Sequence, residues 1–475
     1  MDNITDSREE HDLLGYKQIP NSSLYGIQTQ RAKENFNITG ITIGSCPDLI
    51  KAFVIVKKAA AQANKKTGYL DATIADAISA ACDALIETDH SEHFVVDMIQ
   101  GGAGTSTNMN FNEVIANKAL EILGHPYGEY QYCHPNNHVN MSQSTNDAYP
   151  TALKLAMVYA KDPLINELRL LVDSLQAKAV EFQNVLKMGR TQLQDAVPMT
   201  LGQTFSSYAI TLKKEIDQIE SAATQFLEVN MGGTAIGTAI NTSPNYTPFV
   251  IDYLAEYSGL EITKAECLIE ATQDMGAFVA FSSALKRLAI KLSRICNDLR
   301  LLSSGPRAGF REINLPSAQP GSSIMPGKIN PVIPEVVNQV AFKVMGNDLT
   351  ISLAAEAGQL ELNAFEPVIA SSIFDSISTL ANGIETLRER CIKGITANET
   401  LCLDSVHNSL GILTALSPYL GYEECSDLSK EALLNNRNIL DLIKERNLIP
   451  QDQLSELLEP KNLIRAQLKD RVISQ

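Results

Sequence analysis

A chain of 475 residues, 44% of them apolar, exceeds the size at which one hydrophobic core keeps growing, so two or three domains are expected. Its 39 lysines and arginines stand against 55 aspartates and glutamates, a net charge of −16. Nucleic acid and anionic membrane both need a basic footprint, so this balance argues against either as a partner, and an anionic substrate would need a local positive exception. The eight cysteines are scattered without a C-x-x-C pair, as expected of buried thiols in a reducing compartment, and the protein is read as cytoplasmic. The N-terminus, Met1 to Glu10, is polar and acidic with no apolar core, so no secretory signal is expected. No run of about 18 apolar residues is present to span a membrane.

Residues 1 to about 50 read as short, turn-rich and irregular. Helical periodicity starts near Lys51 and runs through the Ala-rich stretches Phe53 to Lys66 and Thr73 to Glu87. Three glycines interrupt it in Gln100–Asn108, and Glu113 to Leu123 resumes the helix. A polar break, Asn136–Asp147, precedes Pro150 and sets the first domain boundary, giving an N-terminal domain over 1–141. From Thr151 the pattern changes to long amphipathic helices, about 151–184, 202–229 and 273–304. The last would be on the order of 45 Å long at roughly 1.5 Å per residue, too long to be covered inside one small globule. Its apolar positions, among them Phe278, Phe281, Leu285, Leu288 and Leu292, recur at three- and four-residue steps, so a bundle is expected, shared between subunits. Two more helices follow near Pro334–Leu353 and Phe365–Lys393, completing a central domain over 142–396. The remainder, 397–475, carries shorter helices parted by Pro418, Gly421 and Pro450.

Between those long helices lies Ala318–Pro331, with two Gly, three Pro, the adjacent Ser322 and Ser323, Lys328 and Asn330. Such a stretch must be a loop, and one that crowds hydroxyls against a cation. Three further polar breaks, Gly101–Asn108, Ser142–Asp147 and Gly189–Ala196, carry Ser, Thr, Asn, Gln and Gly. Taken singly each reads as capping and turn chemistry. Four in one helical protein suit a small ligand bearing carboxylates, gripped by hydrogen bonds and one fixed cation. A nucleotide fits poorly. Five residues separate Gly321 from Gly327, one too many for a P-loop, and Ile329 follows Lys328 where Ser or Thr is needed. Gly102-Ala-Gly104 lacks both a preceding apolar strand and a third glycine, so a dinucleotide fold fails too. His90 with His93, and His134 with His138, fall at helical steps but lack an accompanying acidic or thiol set, which favours surface or cap roles over metal ligation. Ser322 has no G-x-S-x-G elbow around it, which weakens a Ser-His nucleophile.

Gly321-Ser-Ser-Ile-Met-Pro-Gly-Lys-Ile-Asn330 closely resembles the hallmark loop of the aspartase/fumarase superfamily. Gly101–Asn110, Ser142–Asp147 and Gly189–Asp195 are similar to its other site segments, in the family's order. Within the superfamily the chain looks most like the aspartate ammonia-lyases, because Pro331-Val-Ile-Pro-Glu-Val-Val-Asn-Gln339 follows the loop and Gln192 stands where fumarases carry a catalytic His. The resemblance implies a mainly α fold, with a long-helix bundle shared as a 20-helix core in a homotetramer, smaller N- and C-terminal domains, and sites built by three subunits. It implies reversible anti elimination of ammonium from L-aspartate to give fumarate, without a cofactor, with a divalent cation such as Mg²⁺ as activator in some relatives. By the same resemblance Ser322 is the general base, with Lys328 as its neighbouring cation, and the loop is a lid. Thr105, Ser144, Thr145 and Ser323 would hold the β-carboxylate. Thr191, Lys328 and Asn330 would hold the α-carboxylate, and Asn146 with Gln192 would approach the amino group. A class II fumarate hydratase and a catalytically silent relative are the alternatives.

Overall fold

Helices dominate the computed structural model, which describes residues 6–464; the first five residues of the acidic N-terminus and the last eleven of the terminal segment lie outside that range. The Ala-rich stretch forms the helix Pro47–Thr67, opened by a proline where no backbone donor is needed and closed by Gly68 in the left-handed region. Asp71 caps the helix Ala72–Glu87 by accepting from the N–H groups of Thr73 and Ile74. The helix Thr105–Leu123 begins at Gly104 and ends at Gly124, both left-handed.

The long elements are the helices Thr145–Glu181, Leu201–Ala223, Gly276–Leu302, Val332–Glu356 and Glu366–Arg390. They match the expected spans, with two instructive differences. The first starts at Thr145 instead of Thr151, although Pro150 lies inside it. Proline removes the N–H that would bond the carbonyl four residues back, that of Asn146, and the side-chain amide of Asn230 donates to this carbonyl instead at 2.9 Å. The second stops at Ala223, because residues 224–227 tighten into a 3-10 turn that leads into the two-residue strand Glu228–Val229. Among the described residues no helix is long and apolar enough to cross a membrane.

The remaining sheet structure consists of small two-stranded pieces. Ser7–Asp12 pairs antiparallel with Gly15–Pro20, giving order to the N-terminal stretch read as irregular. Leu186–Thr191 pairs antiparallel with Gln194–Thr200, so the polar break between two helices is a β-hairpin. Ile313–Asn314 pairs with Thr396–Ala397.

Two compact units can be distinguished. One takes the chain up to Ile165, Asp217–Arg287 and Lys343–Leu380; the other takes Asn166–Ile216, Leu288–Phe342 and the chain from Ala381 onward. The core of the first includes Phe53 stacked on Phe111 at 4.3 Å between ring centres, and Phe226 against Phe278 and Phe281. In the second, Leu186 and Met188 of the hairpin join Val406, Ile412, Leu416, Leu428, Leu442 and Leu454 of the terminal helices in one apolar cluster. That cluster gives the hairpin a fixed base, which matters because of what its tip carries.

Candidate active site

In the first unit two helix ends are brought together. Residues Gly102, Ala103 and Gly104 all have positive φ and wind the chain so that the Thr105 N–H and hydroxyl both donate to the Gly102 carbonyl, at 3.0 and 2.8 Å. A Cβ on Gly104 would sit 2.4 Å from the Tyr149 ring, so only glycine permits this approach. The start of the Thr105 helix thereby lies against the first turns of the helix that begins at Thr145. Positive ends of two helix dipoles at one place favour an anion.

Ser144, Thr145 and Asn146 occupy the second helix end. The Asn146 N–H donates to the Ser144 hydroxyl at 3.3 Å, while the Ser144 N–H donates to the Asp147 carboxylate at 2.9 Å, a reciprocal capping box. The other Asp147 oxygen accepts from the N–H groups of Gly232 and Thr234, at 3.1 and 3.0 Å. Burial pushes the Asp147 carboxyl up to about 6, against the pull of those backbone donors. The Asn146 side-chain N–H donates to the Ala235 carbonyl at 2.7 Å, which leaves its amide oxygen as the free acceptor.

Two contributors to this half escaped the sequence reading. Lys57 is fully buried, and its ammonium donates to the side-chain oxygens of Asn108 (2.6 Å), Asn140 (3.1 Å) and Gln143 (2.9 Å). Burial pushes it down to about 7. The signal was a lysine on the apolar face of an Ala-rich helix. The other is Asn230-Met-Gly-Gly-Thr-Ala-Ile-Gly237, where Gly232, Thr234 and Gly237 have positive φ and the Thr234 hydroxyl is buried without a hydrogen-bond partner. Its Gly-Gly pair and third Gly are the sequence signal for this turn.

The second unit carries the remaining candidates. Thr191 and Gln192 sit exposed at the hairpin tip, where Thr191 faces Gln194 across a two-residue turn. Gln192 (φ 54°) and Leu193 (φ 62°) are both left-handed, the signature of a type I′ turn made without Asn or Gly. Strain at two successive non-glycine residues points to a functional constraint.

In the loop, the Gly321 N–H donates to the Lys328 carbonyl at 2.8 Å and the Asn330 side chain donates to the Gly321 carbonyl at 2.7 Å, closing residues 321–330 on themselves. A Cβ on Gly321 would meet the Lys328 carbonyl oxygen at 2.5 Å, so this closure requires glycine. Within it the Ser322 Oγ accepts from two backbone N–H groups, of Ile324 at 3.2 Å and Met325 at 3.1 Å. Ser322 and Asn330 are half-buried; Ser323 and Lys328 are exposed. Lys328 and Asn330 also line a cleft of about 1140 Å³ with Arg300, Arg311, Glu335 and Asn398, whereas Thr191, Gln192, Ser322 and Ser323 do not. A four-carbon diacid would fill a small part of that volume.

The candidates thus fall into two sets: Thr105, Ser144, Thr145 and Asn146 in the first unit, Thr191, Gln192, Ser322, Ser323, Lys328 and Asn330 in the second. His134 accepts from the N–H groups of Asn136 and Asn137, the cap role expected of it. Among the described residues no three His, Cys, Asp or Glu side chains are grouped so as to hold a metal ion.

The chain is similar to known proteins along nearly its whole length. Residues 15–346 match a family model described as lyase, and residues 412–465 one described as fumarase C C-terminus. The chain is 56% identical over 469 residues to an aspartate ammonia-lyase of Pseudomonas aeruginosa, covering 98% of this chain and 99% of the relative. Among solved structures it is similar to a fumarate lyase:delta crystallin from Brucella melitensis, with a TM-score of 0.94 and 50% identity, covering 97% of this chain and all of that one. A class II fumarase from Schistosoma mansoni is also similar, with a TM-score of 0.89 but 33% identity, covering 96% and 98%.

Proposed function

The chain belongs to the lyase family that holds the aspartate ammonia-lyases and class II fumarases, and from that premise we propose how its residues act as those of an aspartate ammonia-lyase. The reaction is elimination of ammonia from L-aspartate to give fumarate, a carbon–nitrogen lyase reaction. Its hard step removes a weakly acidic proton beside a carboxylate and builds a doubly charged aci-carboxylate, so donors set in place beforehand must supply most of the stabilisation.

Ser322 is the base in this reading, and one observation carries it: its Oγ already receives two backbone N–H groups inside a closed loop. Hydrogen bonds to the charged form favour that form, so these donors help an alkoxide persist near neutral pH. Lys328, six residues on, adds a cation. The β-carboxylate goes to Thr105, Ser144, Thr145 and Ser323, where two helix ends favour the charge that grows as the proton leaves. The α-carboxylate goes to Thr191, Lys328 and Asn330. Asn146 and Gln192 meet the amine, and the free amide oxygen of Asn146 is the right partner for an ammonium donor. The chemistry needs no cofactor here, since base, cation and amide donors all come from the chain; Mg²⁺ would act only as an activator.

The loop acts as a lid over substrate. The protein works as a homotetramer with each site shared by three subunits, a reading supported by exposed apolar side chains along the long helices, including Phe342, Leu349, Leu353, Ile210 and Ile290. Eight free cysteines, six of them buried, fit a reducing compartment, and we place the protein in the cytoplasm. Following the absorbance of fumarate formed from L-aspartate and, separately, from L-malate tests the assignment. Turnover of aspartate with little or none of malate is expected. Equal or faster turnover of malate would make the protein a hydratase.

A further inference from the structure

The hairpin that presents Thr191 and Gln192 is anchored by a buried charge cluster centred on Glu312. Glu312 is 1% exposed. One of its carboxylate oxygens lies 2.7 Å from the Lys187 ammonium and the other is paired with the Arg190 guanidinium, which also lies over the Phe310 ring at 4.4 Å from its centre. In a regular strand, residues three apart point to opposite faces. Here Lys187 and Arg190 flank a register shift between Met188 and Arg190, where Gly189 faces two residues of the opposite strand, Ala196 and Val197, and both long side chains reach the one carboxylate. Gly189 permits the shift, since a Cβ there would meet the Val197 carbonyl oxygen at 2.8 Å.

Glu312 is also joined to its surroundings through its backbone. Its N–H donates to the Leu302 carbonyl and its own carbonyl accepts from the Asn398 N–H, both at 2.9 Å. The next residues, Ile313–Asn314, pair with Thr396–Ala397, and the chain then runs into the 318–331 loop. Stability alone explains this cluster poorly, because a buried ion group is often no better than well-packed apolar residues; fixing one register is the better-attested use.

We propose that Glu312 is a positioning residue for the α-carboxylate and amine end of the site. By drawing Lys187 and Arg190, on either side of the register shift, onto one carboxylate it fixes that stretch of the strand, and with it the direction of the strained tip that carries Thr191 and Gln192. This inference rests on the roles proposed for those residues above.

Steady-state kinetics of the full-length enzyme test it, with Glu312→Gln, Thr191→Ala and the double variant. Glu312→Gln is expected to raise KM for L-aspartate at least tenfold, and KM for ammonium in the reverse direction, with a smaller fall in kcat and unchanged helical content and oligomeric state. In the double variant the loss of kcat/KM should not exceed that of the worse single variant, because Glu312 acts through the tip that Thr191→Ala has already disabled. Kinetics within twofold of wild type, or losses that multiply, would overturn the proposal. Should Glu312→Gln fail to fold, Arg190→Lys keeps the charge but gives up the planar fork and its stacking; KM should then rise severalfold, and an unchanged KM would be just as damaging. A wild-type enzyme that releases no fumarate from L-aspartate would remove the underlying functional reading. A wild type that does, beside an indistinguishable Glu312→Gln, would overturn this inference alone.

Discussion

The two sets of site residues are held by different physics. Around Ser144, Thr145 and Asn146 nearly every fixing contact is a backbone N–H donated to a buried side chain or a side-chain amide donated to a backbone carbonyl, all within regular helices and one Gly-rich turn. Around Thr191 and Ser322 the fixing contacts are a buried ion cluster and the self-closure of a loop whose side chains, Ile324 and Lys328 among them, remain exposed. The first arrangement ties its side chains to backbone on several sides. The second leaves its side chains exposed, and in the function proposed above it holds the base and closes over substrate. An enzyme that must stabilise a doubly charged intermediate benefits from this division, because the donors that stabilise charge should not move while the group that takes the proton must close over it.

Removing the base should have the largest effect. Ser322→Ala is expected to lower kcat by about 10³-fold or more, toward the upper end of what a positioned base supplies (about 10²–10⁴), with the oligomeric state unchanged by light scattering. Near-normal turnover would remove the base from the second set and with it the contrast between the two. Asp147→Asn should come next, striking the first set. An amide cannot accept all three backbone donors now on the carboxylate, and each buried donor left unpaired costs about 1–3 kcal/mol. We expect kcat/KM to fall at least tenfold and the urea midpoint to drop measurably.

The same variant carries a smaller, signed effect on pH dependence. Burial lifts the Asp147 carboxyl to about 6, above its ordinary value. Between roughly pH 4 and 6 the native state therefore retains a proton that the unfolded chain has released, and the stability from this group falls as pH rises through that window. The urea midpoint of the wild type should decline across it relative to Asp147→Asn. Parallel profiles would show that the carboxyl is not perturbed.

Much of this was legible in the chain. The long helices followed from uninterrupted apolar spacing, and all four polar segments were visible because Gly, Ser, Thr and Asn break a helical pattern conspicuously. The hairpin at 186–200 was not. Its turn is Gln192-Leu193, without the Asn-Gly or Asp-Gly that announces a type I′ turn, and its bulge at Ala196 and Val197, opposite Gly189, disrupts the alternation that marks a strand. Lys57 was hidden because a lysine in an Ala-rich helix reads as surface, and only the fold shows three amide oxygens converging on it. Asn146 stands out as a candidate in the sequence, but its orientation depends on the Ala235 carbonyl 89 residues away, which no local pattern encodes.

The function proposed above has Asn146 of one subunit and Ser322 of another serve the same site. Hybrid tetramers made by unfolding and refolding together two variants, Ser322→Ala and Asn146→Ala, test it most directly. Each lesion alone should leave little activity. In hybrids, some sites draw an intact loop from one variant and an intact helix end from the other, so fumarate formation from L-aspartate should recover to a substantial fraction of the wild-type rate. Hybrids no more active than either refolded parent would contradict the account.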